Sequence, residues 1–258
     1  MAEINHVLND GKPGGLKPFR ADFHVNNADE LKDNVKNALS LGLPVFTQAL
    51  DEPDDKRAVI CGSSPSLELL RGSDVRIYAA NRAQDYLIDR GIIPDYTVLF
   101  DAIDETAKVF QPHKEVVYLV ASQCSPLVFD VLTGYNVRIW HGWNGNYIHD
   151  LTDQQIIYGG CSCPLRAIYL AYLNGCRDFE LYGMDSSFET RQHVGNEETY
   201  RPLSIMCAGR EFTTSTQLAQ QAQDFTVIHQ RLGDCTFVAH GDGLLPYICD
   251  ILNKESNK

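Results

Sequence analysis

Residues 57–67 read RAVICGSSPSL and combine an apolar run with a turn and a proline. The apolar run over residues 58–61 has the length of a buried strand, and the glycine and two serines at 62–64 end it. Pro65 suits the first turn of a helix, with Ser64 placed to cap it. A strand, a tight turn and a helix N-terminus leave outward N–H groups that suit a phosphate. The stretch predicts an α/β unit, with either a phosphate site or an ordinary strand-to-helix turn at its centre.

Outward from this stretch, apolar strand-like segments alternate with helical ones. Strands are predicted over 75–81, 96–101, 115–122, 136–142, 179–183 and 235–239, and helices over 83–90, 104–110, 126–132, 165–174 and 214–232. Continuous apolar strands between helices are typical of a mostly parallel sheet that is buried on both faces. The predicted class is α/β, with helices on both faces of that sheet.

The chain divides into three parts by composition. Residues 1–26 are polar and rich in glycine, proline and asparagine, which predicts a loose arm. Apolar residues at spacings of three and four follow Asn27 and predict a helical lead-in, which a charged linker continues to residue 56. The main domain is then expected over residues 57–250.

Composition excludes several classes of protein. The chain has 258 residues, a net charge of −12 and a pI of about 5.0, a balance that argues against binding nucleic acid. We expect no signal peptide, and no apolar run approaches the roughly 20 residues of a membrane span. The eight cysteines form no CxxC pair, which favours reduced, unliganded thiols and a cytoplasmic protein. The oligomeric state stays open, with a homo-oligomer among the options.

Polar residues follow nearly every predicted strand, and ligands bind at the carboxyl ends of parallel strands. Asn81 is able to read a base or sugar by hydrogen bonds, and Trp143 to stack. Asp101 and Asp185 are candidates to hold Mg²⁺ together with phosphate oxygens. Taken alone, residues of these types at strand ends are more often turn residues or helix caps.

A second glycine-containing turn precedes the apolar helix at 165–174. Gly159 and Gly160 would let the backbone approach a ligand closely, and Ser162 would cap the helix. Two such turns in one sheet are what a diphosphate or a nucleotide sugar needs. The alternative is a flexible loop that leads into a buried helix.

His193 lies in the polar segment ETRQHVGNEE, a few residues after Asp185. A histidine near the edge of the sheet is a candidate general base because its pKa is close to neutrality. Arg191 and Arg201 flank it and are placed to meet an anionic substrate. The alternative is a solvated loop histidine.

The order of these motifs resembles the 6-hydroxymethylpterin diphosphokinase MptE-like family. It runs GSSPSL, AANRA, GIIPDYTVLFDA, GGCSCPLRAIYLAYLNGCRDFELYGMDSSF and HVG, after the lead-in NVKNALSLGLPVF. The same skeleton is similar to bacterial sialyltransferases and to flagellin nonulosonate transferases. The resemblance implies a Rossmann-like fold and a nucleotide-dependent transferase. The residues that match the family's motifs are given its roles: Gly62, Pro65 and Ser66 on the phosphates, Asn81 on the nucleotide, Asp101 and Asp185 on Mg²⁺, and His193 with Asp185 in catalysis. We predict that Ser63, Ser64, Gly159, Gly160 and Ser162 also contact the nucleotide.

Two positions depart from the family pattern. Ser64 stands where glycine is usual, and serine is costly there if the turn needs a positive φ or a close phosphate. The motif GGS reads Gly159-Gly160-Cys161-Ser162, with the serine displaced by one residue. We expect Gly62→Val to weaken nucleotide binding while leaving the fold largely intact.

Three functions follow from these residues and this resemblance. The first is diphosphate transfer from ATP to a pterin-type alcohol, with Mg²⁺ as cofactor and small molecules as partners. The second is sugar transfer from a CMP-type nucleotide sugar. The third is a catalytically silent nucleotide-binding module.

Overall fold

The computed structural model describes residues 28–46, 57–72, 74–108, 110–143, 148, 150–188 and 202–256. Its strands are β1 (Arg57–Cys61), β2 (Arg76–Ala80), β3 (Tyr96–Leu99), β4 (Val117–Ala121), β5 (Asn136–Gly142), β6 (Ile156–Ile157), β7 (Asp178–Tyr182), β8 (Leu203–Cys207), β9 (Arg210–Thr214) and β10 (Thr236–Ala239). Its α-helices are α1 (Ala28–Ser40), α2 (Ala83–Ile88), α3 (Pro126–Val131), α4 (Cys163–Leu173), α5 (Thr216–Arg231) and α6 (Leu244–Ser256). Two 3₁₀ helices span Pro65–Leu69 and Asp104–Lys108.

Eight strands form one sheet in the order β10-β7-β1-β2-β3-β4-β5-β6. All of the paired neighbours in this sheet run parallel. The predicted α/β class with a mostly parallel sheet is therefore confirmed. The chain moves outward from β1 to β6, and then crosses to β7 on the other side of β1. This reversal puts a topological switch point between β1 and β7, and such switch points are where open α/β sheets bind ligands.

The two faces of the sheet are covered unequally. Side chains such as Tyr78 point into the larger core, which includes Ile168 of α4, Phe225 of α5 and Ile248 of α6. The opposite face holds a smaller cluster beneath the 3₁₀ helix Pro65–Leu69 and α2. Because β1 is buried on both faces, its apolar run is continuous rather than alternating.

The lead-in helix is present as α1, and the segment after it extends the sheet. Val45 forms a parallel bridge with Ile139 of β5, while Asn34 donates from its side chain to the Gln123 carbonyl oxygen. β6 pairs with the other half of β5. The outer edge of β5 is thus covered by two short segments, which protects it from pairing with other chains.

Several elements differ from the sequence-based expectation. The antiparallel pair β8–β9 and the helix α6 were not predicted. The element that starts at Pro65 is a five-residue 3₁₀ helix, so it supplies less aligned dipole than the predicted helix. None of the helices in the described part of the chain has both the length and the apolar character that a membrane crossing requires.

Candidate functional site

The turns after β1 and β7 pack directly against each other. The Gly62 N–H donates to the Tyr182 carbonyl oxygen at 2.8 Å, and the Ser64 N–H to that of Gly183 at 2.9 Å. A Cβ on either glycine would overlap the carbonyl oxygen of the other. Glycine is therefore required at both positions for the turns to approach. The expectation that Gly62→Val leaves the fold intact is wrong, because the added side chain would meet backbone rather than an open site.

Asp185 completes this pair of turns. Its Oδ2 accepts the Ser66 N–H at 2.9 Å, and the Ser66 hydroxyl accepts the Gly183 N–H at 2.9 Å. The carboxylate is 7% exposed, and burial raises its pKa although the hydrogen bonds from Ser66 oppose the shift. Three N–H groups of the turn after β1, at Gly62, Ser64 and Ser66, are thus engaged within the protein.

Ser64 is unstrained. Its φ is −73°, a value that any residue adopts, so the serine in place of the family glycine costs no backbone strain. Its side chain makes no cap hydrogen bond to the 3₁₀ helix. Ser64 is thus the N-cap residue by position, as predicted, but its hydroxyl does not cap the helix.

The second turn leads into α4, an eleven-residue helix. Gly159 and Gly160 have φ values of +153° and +73°, which favour glycine. The Cys161 N–H donates to Asp224 Oδ2 at 2.7 Å, and the Ser162 hydroxyl accepts from Gln221 at 2.8 Å. Ser162 is the N-cap residue, but its side chain makes no cap hydrogen bond to the helix. Side chains of α5 hold the turn in place.

The N-terminus of α4 lies over the end of β3. The Cys163 thiol is 3.1 Å from the Val98 carbonyl oxygen, which also accepts the Asn81 N–H at 3.1 Å. Burial and the nearby Asp101 charge raise the pKa of Cys163 well above its usual value. The thiol is therefore protonated at neutral pH, and the ends of β2, β3 and α4 meet at this point.

Asn81 and Asp101 form the polar centre of this meeting point. Asn81 has a φ of +50°, and its Nδ2 donates to Asp101 Oδ2 at 2.9 Å. The Asn81 Oδ1 is buried and has no hydrogen-bond partner in the described part of the chain. Asp101 is open to solvent yet densely surrounded by protein atoms, and this desolvation raises its pKa against the hydrogen bond from Asn81. Asp101 is therefore accessible to a ligand while lying among protein atoms.

Arg166 brings a positive charge to the first turn of α4. It is 5% exposed, and its Nη1 and Nη2 donate to the carbonyl oxygens of Ile157 and Trp143 at 2.9 and 3.1 Å. Its guanidinium lies 4.7 Å from the centre of the Phe100 ring. Burial lowers the pKa of Arg166 to about 10, so the side chain stays charged at neutral pH. The sequence-based prediction missed this residue because residues 165–174 were interpreted as a strongly apolar helix.

His141, at the end of β5, is fully buried. Its Nδ1 lies 2.9 Å from the Ser122 hydroxyl and its Nε2 lies 2.7 Å from Gln154 Oε1. Burial lowers the pKa of His141, which keeps the ring neutral. Both ring nitrogens are occupied, so His141 supports the loop after β5.

Of the two predicted metal ligands, Asp101 fits and Asp185 does not. Asp101 is open to solvent, and a single carboxylate with substrate phosphates is a common way for proteins to bind Mg²⁺. Asp185 is enclosed by Ser66 and the glycines at 241 and 243. The two residues follow β3 and β7, which are three strands or about 14 Å apart in the sheet. The described residues contain no cluster of three or more His, Cys, Asp or Glu side chains suited to a metal.

The predicted residues thus separate into two groups. Asn81, Asp101 and the turn at 159–162 lie together under α4, whereas the turn at 62–66 and Asp185 lie at the switch point. His193, Arg191 and Arg201 lie outside the described residues.

Comparison with known proteins supplies the context for this geometry. The family model described as "6-hydroxymethylpterin diphosphokinase MptE-like" matches residues 26–191. Among solved structures, the MAf glycosyltransferase from Magnetospirillum magneticum AMB-1 is similar, with a TM-score of 0.62 and 13% identity over 88% of this chain. The chain spans 42% of that protein, so the likeness concerns the fold. No curated protein matches this sequence.

Proposed function

The chain belongs to the 6-hydroxymethylpterin diphosphokinase MptE-like family, and from this premise we propose that it is a nucleotide-dependent transferase. Its site lies at the carboxyl ends of β2 and β3, beneath the N-terminus of α4. The observation that carries the proposal is the Asn81–Asp101 pair, in which a left-handed asparagine leaves a buried oxygen without a partner beside an open carboxylate. Strained, incompletely bonded polar groups are concentrated at functional sites.

An anion fits best beside α4. The helix dipole and the buried charge of Arg166 both favour negative charge there. The turn after β1 is less suited to a phosphate, because the N–H groups of Gly62, Ser64 and Ser66 already have partners. We place the nucleotide phosphates at residues 159–162 because of the α4 dipole and Arg166, although the Cys161 N–H there is itself engaged by Asp224.

The first candidate reaction is diphosphate transfer. The hydroxyl oxygen of a pterin-type alcohol attacks the β-phosphorus of ATP, and the bond from that phosphorus to the oxygen shared with the α-phosphorus breaks. AMP leaves, and the hydroxyl proton passes to a base. Mg²⁺ bound by Asp101 and the phosphates would neutralise charge, while the residues around α4 act by positioning.

We propose His193 as that base, with Asp185 acting indirectly by fixing the turn at 62–66. His193→Ala should then lower the rate by roughly 10²–10⁴-fold and leave nucleotide affinity unchanged. The wild-type rate should fall as the pH drops through the imidazole pKa. A variant that keeps full activity, or one that loses binding in proportion to rate, would remove His193 from the base assignment.

The second candidate is glycosyl transfer, and the similarity in fold to the MAf glycosyltransferase over 88% of the chain favours it. An acceptor oxygen would attack the anomeric carbon of a nucleotide sugar. The bond from that carbon to the phosphate oxygen breaks, the nucleotide leaves, and the acceptor proton passes to the same base. A metal is dispensable in this reaction if Arg166 neutralises the leaving phosphate.

Calorimetric titration with ATP, CMP and a CMP-sugar, with and without Mg²⁺, tests the proposal. Asp101→Asn keeps the size of the side chain and should weaken Mg²⁺–ATP binding, whereas Asp250→Asn, exposed on α6, should leave it unchanged. In a turnover assay with an added acceptor alcohol, release of AMP from ATP identifies the diphosphokinase, and release of CMP from the CMP-sugar identifies the glycosyltransferase. Binding without turnover identifies a silent module, and the absence of nucleotide binding contradicts the proposal.

A further inference from the structure

We propose that Trp143 and Tyr158 form a stacking shelf for a planar heteroaromatic ring, and this proposal rests on the transferase function proposed above. The two rings are stacked on each other, with centroids 5.7 Å apart and planes 24° from parallel. They are nonetheless 39% and 45% exposed. Of the large hydrophobic side chains that are exposed in the described ranges, these two are the aromatic ones.

Hydrogen bonds fix the backbone that carries the two rings of the shelf. The Trp143 backbone N–H donates to the Ile157 carbonyl oxygen at 2.9 Å, so the segments that carry the two rings are joined through the ends of β5 and β6. The buried Arg166 then donates one N–H to each of the carbonyl oxygens of Trp143 and Ile157. An aromatic pair that is already ordered loses little conformational entropy when it binds a third ring.

The shelf adjoins the turn where the phosphates are proposed to bind. Tyr158 directly precedes Gly159 and Gly160, the turn in which we place the phosphates. A molecule that joins a flat ring to a phosphate would lay the ring on the shelf and the phosphate at α4. Two sources supply such a ring: the base of the nucleotide and the pterin of the acceptor.

The chemistry of the rings favours a planar ligand over an aliphatic one. Indole and phenol faces carry negative charge density and stack in an offset arrangement on electron-poor heterocycles. Stacking of a base on a protein aromatic survives replacement by another aromatic residue but is lost on replacement by alanine. Trp143→Phe and Trp143→Ala therefore form a matched pair of variants.

The test measures the affinities of the full chain for 6-hydroxymethylpterin, ATP, CMP and N-acetylneuraminic acid by calorimetry. Trp143→Ala should weaken binding of one planar probe by about 10-fold or more, and Trp143→Phe should retain most of that affinity. Val238→Ala serves as the control, because Val238 is exposed on β10, at the opposite edge of the sheet.

The outcomes separate the shelf from the transferase proposal. Loss of affinity for the pterin alone assigns the shelf to the acceptor, and loss for ATP or CMP assigns it to the base. If Trp143→Ala leaves both nucleotide and pterin affinity unchanged, the shelf proposal is overturned and the transferase proposal stands. Pterin binding that depends on Trp143 without any nucleotide binding supports the shelf and contradicts the transferase. An equal loss for N-acetylneuraminic acid, or no binding of either planar class, overturns the shelf.

Discussion

Asn81 has a strained backbone conformation, and its side chain lies in the candidate site. Its positive φ is uncommon for a residue with a Cβ, and asparagine tolerates it better than most. The side chain then reaches Asp101. The sequence predicts Asn81 as a strand-end residue, but its backbone conformation depends on the neighbouring Val98 carbonyl oxygen, which local patterns do not reveal.

Substitutions of Asn81 should separate these two contributions. Asn81→Gly removes the side chain and suits the positive φ, whereas Asn81→Ala removes it and keeps the strain. We expect the alanine variant to be less stable than the glycine variant by about 1 kcal/mol, while both weaken nucleotide binding equally. Urea unfolding and calorimetry measure the two effects. Equal stabilities would show that the strain is negligible, and unequal affinities would show that the backbone itself contributes to binding.

Asp185 is buried at the switch point between β1 and β7. The sequence predicts it at a strand end as a metal ligand or a catalytic residue. In the structure its carboxylate is buried and accepts a hydrogen bond from the Ser66 N–H. The carboxylate Oδ1 has no hydrogen-bond partner among the described residues. Which of two strand-end carboxylates faces solvent is decided by packing from glycines at 241 and 243, which are distant in sequence.

The raised pKa of Asp185 predicts a pH dependence of stability. Because burial favours its neutral form, its contribution to stability is full below the ordinary pKa of 3.8 and is lost as the pH rises through the raised value. The stability of the wild type minus that of Asp185→Asn should therefore decrease over this range. Urea unfolding of both proteins across the range measures it. Asp242→Asn is the control of opposite sign, since Arg210 lowers the pKa of Asp242. A difference that rises with pH for Asp185 would contradict the assignment.

At the scale of elements, the turns after β1 and β7 act as one unit. Gly62 and Gly183 approach until each lacks room for a Cβ, and Ser66 and Asp185 tie the turns together by two further hydrogen bonds. The strand–turn–helix order was predictable from residues 57–67 because it depends on local pattern. The contact of this turn with the turn after β7 was not predictable, because it is made across the switch point.

Substitution of Gly62 tests this contact. Gly62→Ala should lower the free energy of unfolding by about 3 kcal/mol or more, since the added methyl group overlaps backbone that is unable to move aside. Gly233→Ala is the matched control, because its Cβ would meet only the Gln230 carbonyl oxygen at 3.7 Å. Urea denaturation measures both. A Gly62→Ala protein as stable as the control would show that the two turns are separable.

For the molecule as a whole, the α/β class was predictable because apolar strands alternate with helices along most of the chain. The residues of the candidate site were only partly predictable. Asn81, Asp101 and Gly160 were identified from strand ends and glycine pairs, but Arg166 is hidden in an apolar helix and becomes visible only through its contacts. The order of strands determines which predicted residues meet, and sequence periodicity does not encode that order.

Ligand binding at the proposed site should stabilise the entire domain. A ligand at about 100 times its Kd stabilises the native state by about 2.7 kcal/mol, which corresponds to a rise in Tm of about 5–10 °C at this size. We expect Mg²⁺ with ATP to produce such a shift, because phosphates would link α4 to the ends of β2 and β3. Asp101→Asn should reduce the shift, and Val238→Ala, at the far edge of the sheet, should retain it. Differential scanning calorimetry at several ligand concentrations provides the measurement. A shift that survives in Asp101→Asn would place the nucleotide away from the Asn81–Asp101 pair.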